Sequence, residues 1–148
     1  MFMYNDHCYD YTEQKMDWEQ AEGYCRKMGG HLLSLNFEQE HKFIATQLTR
    51  KSFSEDVWMG LSVTKETCNW DWSDNSLLTY SAWGDVTDDL RNKHCAVLGG
   101  SSSFMKWNHR SCSDKHGFIC KVTPLALIKA FQDMEKTTPL PANYKSPP

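Results

Sequence analysis

The sequence predicts an α+β domain in which two helices flank antiparallel sheets, and three stretches carry that reading. Between Asp17 and Met28 the apolar residues Trp18, Ala21, Cys25 and Met28 recur at helical spacing. Val57-Trp58-Met59-Gly60-Leu61-Ser62-Val63 is a β-type run without clean alternation, as expected of a strand covered on both faces. From Cys95 to Cys120, short apolar runs are broken by Gly99-Gly100-Ser101-Ser102-Ser103, the pattern of a hairpin whose strands carry cysteines.

Taken in order, Tyr4, His7, Cys8, Tyr9 and Tyr11 favour an extended first strand from Tyr4 to Thr12. Asp17 reads as the N-cap of the first helix, with Cys25 facing the core and Glu19, Gln20, Glu22 and Lys27 facing solvent. Gly29-Gly30 ends that helix, because glycine takes the left-handed C-cap geometry at little cost. His31 to Leu35 is strand-like, and Asn36 with Gln39 resembles a capping box opening a second helix through Phe43, Ile44 and Leu48. His31 and His41 read as surface or hydrogen-bonded polar residues rather than ligands. Val57 to Val63 is expected as the central strand, and Trp70-Asp71-Trp72 as a strand before the turn Ser73 to Ser76. An apolar stretch from Leu77 to Trp83 then leads into the charged loop Gly84 to Lys93. Beyond Lys121, Leu125, Ala126, Ile128 and Phe131 suit a short amphipathic helix, and four prolines from Pro139 onward suit an extended tail. Residues 1–122 are therefore expected to be the domain and 123–148 a linker or tail.

With 148 residues the chain is one domain, and its net charge of −3 comes without a basic patch, which argues against nucleic acid as a partner. Six cysteines with no Cys-x-x-Cys pair argue against a structural zinc site and for an oxidising, extracellular compartment. They allow fifteen complete pairings. No signal peptide, no run of about twenty apolar residues and no Asn-x-Ser/Thr sequon is visible, so no direct membrane contact is expected of this segment. The chain reads as a piece of a larger cell-surface or secreted protein.

Gly29-Gly30-His31-Leu32, Trp58-Met59-Gly60-Leu61, Trp72-Ser73-Asp74, Trp83-Gly84, Cys95, Trp107-Asn108, Cys112 and Gly117-Phe118-Ile119-Cys120 together resemble the C-type lectin-like domain, in order from Tyr4 to Lys121. The resemblance implies that fold, with a disulfide-clamped long-loop region. It also implies the pairings Cys25 to Cys120 and Cys95 to Cys112. Cys8 and Cys68 remain, and a bridge between them is weighed against free thiols or a missing upstream partner. The tail and the excised look of the chain are similar to modules of the mannose receptor and phospholipase A2 receptor group.

Sugar-binding members of the resembled family hold calcium with a proline-containing loop motif and a Trp-Asn-Asp strand motif. Here no proline lies between Trp83 and Cys95, and the strand reads Trp107-Asn108-His109. Imidazole suits a hard cation poorly, so no metal or other cofactor is expected. Asp85, Asp88 and Asp89 with Asn108 are the residues from which a non-standard calcium-dependent sugar site would be built. No motif supplies an activated nucleophile or an oxyanion site, so the protein is not read as an enzyme. The reading is a calcium-independent recognition module that binds a protein ligand or packs on neighbouring modules. Asp85, Asp88, Asp89, Arg91, Phe104, Lys106, His109 and Arg110 are its candidate contact residues.

Overall fold

The computed structural model describes residues 1–64, 66–84 and 94–137. The single N-terminal strand expected from Tyr4 to Thr12 is corrected to a hairpin. Strands β1 (Phe2–Tyr4) and β2 (His7–Met16) pair antiparallel around Asn5 and Asp6, both of which have positive φ. The type I′ form of a two-residue hairpin turn needs left-handed backbone at both positions, and Asn and Asp tolerate it better than most residues.

Helix α1 (Trp18–Lys27) is capped as the sequence suggests. The Asp17 carboxylate accepts the Gln20 N–H, and the Gln20 side chain accepts the Asp17 N–H in return. Ala21 and Cys25 are buried, but Glu22, expected on the solvent face, is only 4 % exposed. Four partners hold it there. Its Oε1 accepts the Leu32 N–H and the Ser73 hydroxyl, while Oε2 faces Arg26 Nε and His31 Nδ1. They replace the hydration that a buried carboxylate loses.

After β3 (His31–Leu32) comes α2 (Glu38–Arg50), and here the expected capping box at Asn36 does not form. Phe37 is the N-cap and makes no side-chain cap bond. Tertiary partners take Asn36 instead: its side-chain amide donates to Ser76, and its backbone N–H goes to Glu40.

Strands β4 (Val57–Val63), β5 (Trp70–Trp72), β6 (Cys95–Leu98), β7 (Trp107–Arg110) and β8 (His116–Val122) complete a mixed sheet. Its order is β1-β2-β8-β4-β6-β7, with β3 on β8 and β5 on β4, and β4 runs parallel to β8. β4 is central and buried from Val57 to Leu61. Gly60 donates to the Leu33 carbonyl and accepts from Ser73, and a Cβ there would lie 2.6 Å from Ser73 Oγ and 2.8 Å from the Leu32 carbonyl oxygen. Only glycine permits that approach. Helix α3 (Pro124–Thr137) extends the amphipathic segment expected around Leu125 to 14 residues.

Two disulfides form as the resemblance implies. Cys25–Cys120 ties α1 to β8, and Cys95–Cys112 clamps the β6–β7 hairpin. The Cys8–Cys68 bridge does not form: Cys8 is buried on β2, and Cys68 is exposed in the turn between β4 and β5. Strand β8 lies between β2 and β4, so the strand of Cys8 and the strand leading to Cys68 are separated by two spacings of about 4.8 Å, which already exceeds disulfide reach.

One core packs Ile44, Ala45 and Leu48 of α2 against the sheet, including Tyr9, Leu61, Trp107 and Ile119. A second packs Ala21 and Cys25 of α1 against Trp58, Val97 and Phe118. A buried polar network links α2 to β8. Lys121 Nζ lies 2.7 Å from Glu40 Oε2 and donates to the Ser34 carbonyl, the Ser34 hydroxyl and Asn36 Oδ1. Tyr9 donates its hydroxyl to the same Glu40 oxygen, and burial, reinforced by that carboxylate, pushes its phenol far above the ordinary range. Asp74 accepts from the Ser34 hydroxyl and from the N–H and hydroxyl of Ser76. Burial works against the charge on Asp74, but these hydrogen bonds and nearby Lys121 hold its carboxyl below the usual value.

Candidate functional site

The β6–β7 hairpin carries an aromatic series that runs from the core to the surface. Trp107 and Trp72 are buried and meet edge to face with ring centroids 5.5 Å apart, and Trp83 packs on Trp107 at 5.6 Å. Backbone bonds fix Trp83: Trp107 N–H donates to the Ala82 carbonyl, and Gly84 N–H donates to the Trp107 carbonyl. His109, two residues after Trp107, continues the same face of β7. It meets Trp83 edge-on at 4.7 Å and stacks on Trp70 at 5.2 Å, with the rings inclined by 25°. Trp70 and Trp83 are themselves 4.9 Å apart. All three rings are partly exposed, so they form a platform at the end of the sheet. Trp83 precedes the 85–93 segment, and Cys95, just after it, pairs with Arg110.

The nominated residues that the structure describes, Phe104, Lys106, His109 and Arg110, do not share one surface. Asp85, Asp88, Asp89 and Arg91 lie outside the described residues. Phe104, expected as an exposed anchor, is fully buried. Ser103 and Phe104 both adopt positive φ, and the chain there is held by Phe104 N–H on the Gly99 carbonyl and by His41 on the Phe104 carbonyl. Arg110 lies on the face of β7 opposite His109, and its Nε and one terminal nitrogen each sit 3.0 Å from Asp56 Oδ2. Lys106 is exposed at the mouth of the hairpin turn. Of the nominated residues that are described, only His109 joins the platform. Trp70 and Trp83 were not among the residues nominated from sequence. Its period-two relation to buried Trp72 was the available signal for Trp70, since both share a face and Trp70 lies further out.

His41 supports this region from beneath. It is buried, with Nδ1 2.7 Å from the Tyr80 hydroxyl and Nε2 2.7 Å from the Phe104 carbonyl. A carbonyl only accepts, so Nε2 carries the proton and Nδ1 accepts from Tyr80. Burial pushes the imidazole pKa down, against a smaller opposing pull from the Phe104 carbonyl, and keeps the ring neutral at pH 7.

The described side chains at this end do not fit a calcium ion. Calcium takes six to eight oxygen ligands, whereas the strand offers an imidazole packed against two indoles and an arginine engaged by Asp56. Among the described residues, no group of three or more His, Cys, Asp or Glu is placed to hold a metal ion. A cavity of about 490 Å³ lies between α1 and α3, lined by Arg26, Lys27, Gly29, Ala126, Lys129 and Ala130 among others, away from the platform.

The mixed sheet, the α1–β8 disulfide and the disulfide-clamped β6–β7 hairpin together define a C-type lectin-like fold. The chain belongs to the C-type lectin domain family, whose profile matches residues 14–122. It is 37% identical over 123 residues to rheacalcin-1 of Rhea americana, covering 80% of this chain and 89% of that protein. Human lithostathine-1-alpha is 35% identical over 122 residues, covering 80% of this chain and 73% of that protein. Among solved structures, human lithostathine superposes with a TM-score of 0.77 at 32% identity, covering 82% of this chain and 95% of that one. The carbohydrate-recognition domain of cow CD23, solved with a GlcNAc2Man3 oligosaccharide, superposes with a TM-score of 0.68 at 29% identity, covering 81% and 90%.

Proposed function

We propose that the protein is a calcium-independent extracellular recognition domain whose contact surface is the Trp70–Trp83–His109 platform together with the adjoining 85–93 segment. The observation that carries this reading is the packing of His109. Where sugar-binding members of the family place a metal-binding carboxylate, this chain places an imidazole stacked on Trp70 and abutting Trp83. Partly exposed aromatic rings on a rigid scaffold are the usual anchors of a protein contact. Two disulfides suit an oxidising compartment. Family membership favours binding over catalysis, so no catalytic role is assigned.

The alternative is calcium-dependent carbohydrate binding through a non-standard site, and the likeness to the oligosaccharide complex of cow CD23 favours it. Calorimetric titration with calcium separates the two. Our reading expects no binding tighter than about 1 mM, the weak end for extracellular modules, and tighter binding overturns it. A protein or glycan array probed with and without EDTA gives the positive arm: EDTA-insensitive binding that Trp70→Ala abolishes.

In context, residues 1–122 serve as the recognition unit and 123–148 as the connecting segment. Leu125 and Ile128, exposed on α3, suit packing on a neighbouring module. Membership of the mannose receptor and phospholipase A2 receptor group draws no support from the relatives, which are matched over 73% to 90% of their own length.

A further inference from the structure

A groove of about 490 Å³ separates the C-terminal end of α1 from α3. Close contact shuts one end of it. Gly29 has a φ of 89°, and a Cβ there would lie 2.6 Å from the Ala126 carbonyl oxygen, so glycine is what lets the first turn of α3 seat against α1. Along the groove α3 presents Ala126, Lys129, Ala130 and Asp133, the i, i+3, i+4, i+7 spacing of a single helix face, with Met134 beside them. Arg26 and Lys27, from the last turn of α1, also line it. The lining is mostly apolar although half of its residues are charged, as happens when long side chains lay their methylene stems along a cleft and keep their charged heads at the rim.

Charge and size together define the occupant. Among the described residues Lys27 and Lys129 take part in no ion pair, Arg26 donates its Nε–H to Glu22, and Asp133 is the one carboxylate that lines the groove. The rim is therefore short of anions. The carbonyls of Tyr24, Cys25 and Arg26 at the end of α1, which would repel an anion, already accept the N–H groups of Met28, Gly29 and Gly30. Asp133 opposes a doubly charged head more than a singly charged one, which favours a carboxylate over a phosphate monoester. The volume lies within the range of about 300–1,000 Å³ of pockets that take small molecules, whereas a protein contact needs roughly 800 Å² of surface per partner. We propose that this groove binds a free long-chain fatty acid, its carboxylate between Lys27 and Lys129 and its chain along Ala126, Ala130 and Met134, at a site separate from the Trp70–Trp83–His109 platform.

Calorimetric titration of the full chain with dodecanoate at neutral pH tests this, and a Kd on the order of 10 µM is expected. Dodecyltrimethylammonium, the same chain under a cationic head, and acetate, the head without the chain, should each bind at least tenfold more weakly. K27E/K129E should weaken dodecanoate binding at least tenfold, and A130W, which fills the groove, should abolish it, both with near-ultraviolet circular dichroism unchanged. Trp70→Ala on the platform and L125S/I128S, off the groove face of α3, should leave the Kd unaltered. No dodecanoate binding up to about 1 mM overturns the proposal, as does equal binding of the cationic amphiphile, a Kd that survives K27E/K129E, or one that Trp70→Ala weakens. Capture of the chain by phosphatidylserine vesicles without binding of free dodecanoate overturns it in favour of a membrane surface, and a Kd that rises with protein concentration overturns it in favour of a second copy seated in the groove.

Discussion

The buried network beneath α2 and the platform on β7 use their side chains in opposite ways. Around Lys121 the chain encloses full charges, and the oxygens that contact the ammonium belong to Glu40, Ser34 and Asn36. Around His109 it leaves three aromatic rings partly open. A buried ion pair is costly to disturb and offers nothing to a ligand, whereas half-exposed rings lose little by being covered and gain by it. The first region is therefore a centre of stability, and the second is the surface proposed for recognition.

The sharpest way to break this contrast is Lys121→Met. Removing the ammonium leaves Glu40 buried without its cation, and losses of about 3–5 kcal/mol follow when one partner of a buried pair is deleted. Urea unfolding measures the loss. A change below about 1 kcal/mol would show that the network is not a stability centre. Replacing Lys121 and Glu40 together by apolar residues should recover much of the loss, because Glu40 then no longer leaves a buried charge without its cation.

A smaller effect comes from acid. The His41 pKa is lowered from 6.5 by burial, so between the folded value and 6.5 the unfolded chain binds more protons. Stability is therefore full above about pH 6.5 and falls as the pH drops, with a limiting slope of about 1.4 kcal/mol per pH unit per group. His116, also lowered by burial but partly exposed, adds a weaker slope of the same sign. The Asp74 carboxyl is held below 3.8, so its contribution is present above that value and is lost as pH falls through the folded pKa. Urea midpoints between pH 7.5 and 3 should show both stages (the endpoints are about a unit beyond each ordinary value). His41→Gln should flatten the first stage and leave the second, and an unchanged first stage would show that His41 is not the group behind it.

What the sequence made legible follows the same divide. The capped helix at Asp17, the central strand at Val57 and the hairpin at Cys95 rest on local pattern, and each was visible in the residues alone. The two family disulfides followed once the family resemblance was read. Glu22 and Lys121 were not visible as buried groups, because a charged residue on a helix or strand reads as solvent-facing until its tertiary partners are known. Glu22 draws its partners from positions 26, 31, 32 and 73. Phe104 reads as exposed beside a polar turn, and only the positive φ at Ser103 and Phe104 reveals the reversal that buries it. At the platform, His109 was found because it departs from a motif, while Trp70 departs from none.

The finest test of the contrast is His109→Asp, which restores the residue type used by sugar-binding relatives of the resembled motif. The substitution removes the stack on Trp70 and sets a carboxylate against two indoles, so a loss of about 1 kcal/mol in stability is expected. Calcium affinity should nevertheless stay weaker than about 1 mM, because one added carboxylate does not assemble six to eight oxygens around an ion. Calorimetry with calcium on the variant reads this directly. Tight binding would mean that the 85–93 segment already supplies the remaining ligands and that His109 alone blocks the site. The platform would then be a lectin centre held shut by one imidazole rather than a surface built for calcium-free contact.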